Sequence, residues 1–247
     1  DNSGFLIADE VAWADKGNTF ELSLEQGLSP SSGYTLQYDD CRGKYEVDFS
    51  TSAFGAPLTA GNSSLEGTTY HVDLVGADWV EPGGFAALMS LYFTVPILIG
   101  VQWADGQYID LMGAPGEQDD NGELQQDISE STWDFPRADF TGSPYFLALT
   151  DEVVFDYVGV DIPVYDFELS ATISADGSKL GGGLISGLGD TRFMWSILGS
   201  DEDPNAVCVL AASVGVSCQE CPDSKPYCLL MRAKDVDGTL IEGLTLK

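Results

Sequence analysis

Four of the chain's five cysteines fall in "CVLAASVGVSCQECPDSKPYC", from Cys208 to Cys228. Thiols this close can bind zinc, cycle between redox states or close disulfides. Cys218 and Cys221 have the Cys-x2-Cys spacing of a zinc knuckle, but a four-thiolate site uses two knuckles and only one is present. A thioredoxin-like pair starts a helix that follows a strand. Here Cys218 comes after a predicted helix end, and Pro222-Asp223 continues into a turn. Two disulfides fit best, closing short loops worth roughly 2–3 kcal/mol each. Three connectivities are open, and Cys208–Cys218 with Cys221–Cys228 is the preferred one. Cys41 is then left over, as a buried thiol or a link to another chain.

The other reactive side chains form no familiar centre. His71 is the only histidine, so Ser-His-Asp, Cys-His and multi-histidine zinc sites would all need this one imidazole. Its place on a predicted strand, with no nucleophile signature nearby, reads as a half-exposed structural histidine. "GGGLISG" does not have the spacing of a nucleophile elbow, and its glycines precede a strand, which excludes dinucleotide binding. No phosphate-binding Gly-Lys-Ser or Gly-Lys-Thr exists. Calcium is the one metal with suitable oxygen donors. "EQDDNGE" gathers Asp119, Asp120, Asn121 and Glu123 around Gly122, although it departs from the EF-hand spacing. "SDEDPN" (200–205) is a weaker variant, in which Asp203 reads as a helix cap. Asn62-Ser63-Ser64 is an N-glycosylation triplet. Trp79, Trp103, Trp133 and Trp195 offer stacking surfaces for sugars, although tryptophan in a β-rich chain is usually core.

Charge narrows the partners. Ten Lys and Arg against 40 Asp and Glu give −30 over 247 residues, which repels nucleic-acid phosphates and anionic lipid. The uncharged stretch Gly83–Trp103 is long enough to span a bilayer. It is interrupted by Pro96 and lacks basic anchors, so it reads as a helix (84–93) followed by a buried strand (97–103). The start "DNSGFLIADE" has no signal-like segment, and together with abundant Gly, Ser and Thr it suggests the mature form of an exported protein.

Positioning falls to strands. "YTLQYDD" and "KYEVDFS" flank a turn at Cys41–Gly43 as a hairpin. "TTYHVDLV" (68–75) alternates, with Tyr70, Val72 and Leu74 on one face. Residues 152–174 are strongly β, with Gly159 and Pro163 as bends or edge positions. Asp-Gly at Asp105, Asp176 and Asp237 predicts three tight hairpin turns. Residues 113–131 read as an exposed acidic loop. Besides 84–93, helices are expected at 191–199, capped by Asp190, and at 205–215, with Pro204 at its start and Gly215 at its end. The expected fold is mainly β, an antiparallel sandwich or barrel-like sheet with about three short helices. It forms one disulfide-stapled domain over 1–247, with a possible N-terminal extension over 1–30.

"FELSATISADGSKLGGGLISGLGDTR", "DPNAVCVLAASVGVSCQECPDSKPYCLLM" and "WVEPGGFAALM" together resemble uncharacterised exported, lipoprotein-like acidic proteins of myxobacterial type. These share the Asp-Gly hairpin, the Asp-Thr-Arg and a cysteine cluster ending Tyr-Cys-Leu. The resemblance implies export and disulfides and carries no activity. The expected function is therefore a non-catalytic, extracellular or cell-surface protein, either a structural or assembly subunit or a binding module. The apolar "GFLIADEVAW" reads first as an ordinary edge strand of the same domain and second as a strand for completing a neighbour's sheet. The alternatives are a carboxylate-dependent polysaccharide hydrolase and a β-barrel carrier of a small apolar ligand.

Overall fold

The computed structural model describes residues 10–14, 19–23, 28–40, 42–83, 95–157, 160–195 and 203–247. They fall into two compact units, 1–53 and 54–247. The first unit holds two antiparallel hairpins. One pairs β1 (Glu10–Ala14) with β2 (Thr19–Ser23), and the other pairs β3 (Gly33–Asp40) with β4 (Gly43–Ser50). The β3–β4 register is regular along its whole length, and period-two alternation gives it two distinct faces. On one face Tyr34 stacks on Phe49, Leu36 lies opposite Val47, and Tyr38 stacks on Tyr45. On the other, Thr35 donates to Asp48, Gln37 donates to Glu46, and Asp39 lies opposite Lys44.

The second unit opens with a 3-10 turn, Asn62–Leu65, and then builds one antiparallel sheet. Its strands are β5 (Thr69–Asp73), β6 (Asp78–Glu81), β7 (Ile97–Ala104), β8 (Tyr108–Gln118), β9 (Leu124–Gln126), β10 (Trp133–Asp134), β11 (Ala138–Asp139), β12 (Tyr145–Tyr157), β13 (Val160–Ile173), β14 (Lys179–Asp190) and β15 (Cys228–Leu240). The path runs β10-β8-β7-β5-β15-β14-β13-β12, with β6 against β15 and β9 and β11 against β8. Right-handed twist curls so long a sheet into a half-barrel. Its concave side is filled by side chains, with Tyr70, Phe140, Phe146, Leu65, Leu169 and Ile173 all but fully buried. A smaller cluster of Leu98, Ala114 and Leu246 covers part of the sheet through the segment after β15.

The mainly β reading holds, while the helix expectation is corrected. Among the described residues α1 (Ala206–Ser213) is the one α-helix, where about three were expected. The stretch 84–93 lies outside the described residues, as do 196–199. Residues 191–195 form turns, because Asp190 ends a strand and turns its carboxylate inward. The Asp105 and Asp176 turns join β7 to β8 and β13 to β14 as expected. The third does not exist: β15 runs straight through Asp237-Gly238, which pairs with Asp73 and Val72 on one side while Gly238 meets Leu180 on the other. Pairing on both sides holds this Gly extended and overrides its turn preference. The acidic loop at 113–131 is also half strand, since β8 reaches Gln118 and folds back as β9.

Close approach sets the glycines of β14. A Cβ on Gly181 would strike the Phe54 ring, and one on Gly183 would strike the Val236 carbonyl. The run at 181–183 is therefore a packing feature inside a strand. No helix of the described residues is long and apolar enough to cross a membrane.

Candidate functional site

The cysteine cluster forms a small knob at one end of the sheet. Cys208 on α1 bonds Cys218, and Cys221 bonds Cys228 at the start of β15, with Cα–Cα distances of 5.6 and 5.1 Å. Both sulfur pairs are oxidised, so none of the four supplies a thiolate for zinc or for redox attack. The helix forms where the sequence places it. Asp203 accepts from the Asn205 amide at 2.9 Å, and Gly215, at φ 86°, ends the run. Its inner side buries Val207, Cys208 and Ala211, whereas Val209, Leu210 and Val214 stay exposed.

An Asp-Thr-Arg run fixes the knob to the sheet. Asp190, the last residue of β14, is fully buried and lies opposite Cys228. Its carboxylate accepts two bonds from Arg192 Nε, at 2.9 and 3.0 Å, and one from Nη2 at 2.5 Å. The other arm of the guanidinium, Nη1, donates to Asp223 at 2.6 Å, inside the loop closed by Cys221–Cys228. Thr191 sends both its amide (3.1 Å) and its hydroxyl (2.7 Å) to the Tyr227 carbonyl, and its oxygen lies 3.4 Å from Cys208 Sγ. Hydrogen bonding to Asp190 raises the Arg192 pKa above its ordinary value, and the Arg192 hydrogen bond holds Asp223 below the usual carboxylate range. The sequence suggests Asp190 only as a helix cap. Its i, i+2 spacing from an arginine beside a cysteine cluster is the signal that points to an ion pair.

The calcium candidate is used locally. Asp119 Oδ1 accepts the amides of Asn121 and Glu123, both at 2.8 Å, and Oδ2 accepts the Asn121 side chain at 3.2 Å. The Glu123 amide bond keeps the Asp119 pKa low. Among the described residues no group of three or more His, Cys, Asp or Glu side chains is placed to hold a metal. Asp119, Asp120, Asn121 and Glu123 thus form a hydrogen-bonded turn between β8 and β9.

The other candidates occupy the following places. Asn62 donates its amide N–H to the Asp105 carbonyl at 2.6 Å, and its amide oxygen accepts from Ser143 at 2.8 Å. His71 is half-buried between Leu98 and Thr239. Trp79 and Trp133 are core residues, and Trp103 lies under the Arg137 guanidinium at 4.8 Å. Asp110 holds that guanidinium through bonds of 2.8 and 2.6 Å. Cys41 lies outside the described residues.

No protein-family model matches the chain, and no curated protein or solved structure matches it.

Proposed function

We propose that this chain is a non-catalytic protein of an oxidising compartment, extracellular or at the cell surface, serving as a structural or assembly subunit. The observation that carries this reading is the pair of disulfides closed within one short segment and tied to the sheet through Arg192. Disulfides persist where no thiol pool reduces them. The resemblance of the C-terminal segments to exported acidic proteins supports the same compartment. A net charge of −30 suits a surface that repels nucleic acid and anionic membrane. The half-barrel's side-chain-filled interior favours a scaffold over a carrier of apolar ligands. The groups with the strongest polar contacts, Asp190 and Arg192, satisfy one another, as expected of a support.

Two measurements test the proposal. Intact mass with and without reductant should differ by the four hydrogens of two disulfides. Four free thiols in the native protein would remove the basis for the compartment. Sedimentation of the full chain should show mass rising with concentration, and a monomer at every concentration would overturn the assembly role.

A further inference from the structure

β4 is exposed on both faces. Every residue from Lys44 to Ser50 is solvent-accessible, including Val47 at 51% and Phe49 at 41%. Among the described residues β4 pairs only with β3, and a two-stranded hairpin alone is marginal in water. The direction of its outer backbone groups follows from the register. The Thr51 amide donates to the Ser32 carbonyl at 2.9 Å, one step beyond the Gly33–Ser50 pair. In an antiparallel ladder such inward pairs alternate, so Lys44, Glu46 and Asp48 turn their N–H and C=O groups away from β3. An edge of this kind is a template for another strand.

Charge selects the strand it takes. Along the polar face the edge reads Lys44, Glu46, Asp48, and Arg42 adds a second cation at the turn. Two basic positions are therefore followed by two acidic ones, and Tyr45 lies at the centre of the pattern. We infer that β4 pairs antiparallel with β4 of a second copy, centred on Tyr45. In that register Lys44 faces the second copy's Glu46, Glu46 faces its Lys44, and Asp48 comes opposite the Arg42 end. The outward-turned backbone groups meet one another, as a ladder requires. On the opposite face Tyr45 packs beside its own copy, extending the Tyr38–Tyr45 and Tyr34–Phe49 stacks across the junction. A two-residue shift would set Glu46 against Glu46, which disfavours the neighbouring register. The contact is isologous and closes as a dimer. Its pairing stripe is locally neutral in a chain that otherwise repels its copies. This inference rests on the assembly reading and gives it a specific surface.

Charge exchange tests it. Sedimentation velocity on the full-length chain should show wild type dimerising, and Lys44→Glu or Glu46→Lys each weakening dimerisation roughly 10- to 30-fold. The double variant K44E/E46K should dimerise like wild type. An equimolar mixture of the two single variants should form the heterodimer, since every pair is then opposite in sign. In a Cys41→Ser background, Tyr45→Cys should crosslink between chains on oxidation while Glu46→Cys should not. Single variants that associate as wild type does, or crosslinking at position 46 in place of 45, would overturn the pairing and leave the assembly reading standing. Wild type that never associates would overturn both.

Discussion

The Trp133 indole donates to the Val154 carbonyl at 2.8 Å, joining the two margins of the curled sheet. β10 hangs on the β8 side and β12 ends the path on the other, and no backbone ladder connects them among the described residues. The Trp133 ring also meets Phe155 at 4.8 Å, and Phe135 meets Phe167 at 6.1 Å. The seam of this half-barrel is therefore closed by side chains.

Removing the seam's hydrogen bond should be measurable. Trp133→Phe keeps most of the ring and deletes the donor, so stability should fall by about 1–2 kcal/mol. Trp133→Ala also opens a cavity and should cost about 3–5 kcal/mol. Urea midpoints at constant slope check both. A Trp133→Phe protein as stable as wild type would show that the indole N–H contributes nothing at the seam.

The Asp190–Arg192 pair should behave as a buried ion pair. Asp190 has 1% of its side chain exposed and Arg192 has 20%. Arg192→Ala strands a buried carboxylate and should destabilise by about 3–5 kcal/mol. Asp190→Asn combined with Arg192→Gln removes both charges and should recover part of that loss. Chemical denaturation of the three proteins tests this, and a double variant no better than R192A would place the cost elsewhere.

Each disulfide should contribute on its own. The bridges span 10 and 7 residues, and chain-entropy arguments give about 2–3 kcal/mol for each, slightly more for Cys208–Cys218. Paired Cys→Ser variants should lower the melting temperature while keeping the far-ultraviolet signature of the sheet, because β14 and β15 stay paired well beyond Cys228. Loss of the sheet signal in either variant would mean that the knob nucleates the fold.

Acid should loosen the turns before the core. Asp176 accepts bonds from Ser174 and Ser178, and its pKa drops from 3.8 to about 2. A lowered native pKa stabilises the fold fully above the unfolded value, and this contribution fades as pH falls through the native one. Wild type should therefore exceed Asp176→Ala in stability at neutral pH. The gap should close between about pH 4 and pH 2, read by thermal melts in that window. A gap that widens on acidification would reverse the sign.

Local chemistry made much of this legible in advance. The Asp-Gly turns at 105 and 176, the 206–213 helix behind Pro204, and the hairpin around 41–43 all rest on preferences within a few residues. What escaped the sequence depends on partners distant along the chain. Asp237-Gly238 carries the same dipeptide as the true turns, yet β5 and β14 hold it extended. Asp190 reads as a cap until Asp223 and Cys228 are brought beside it. The same holds for Leu246 over Gly100, and for Gln126, whose amide both donates to and accepts from the Lys247 backbone. Nothing local to Gly238, Leu246 or Gln126 announces its partner.

The place of β15 governs when this fold can exist. The strand lies between β5 and β14 in the middle of the sheet, although all the other described strands of that sheet precede it in sequence. A chain emerging from a ribosome amino end first has no backbone ladder between β5–β8 and β12–β14 until residues 228–240 arrive. The sheet is completed only once those residues have been delivered, and the non-local pairings slow it further. Until that strand arrives, the outer edges of β5 and β14 wait for the same partner, and each group of strands carries an unpaired edge that the completed sheet hides.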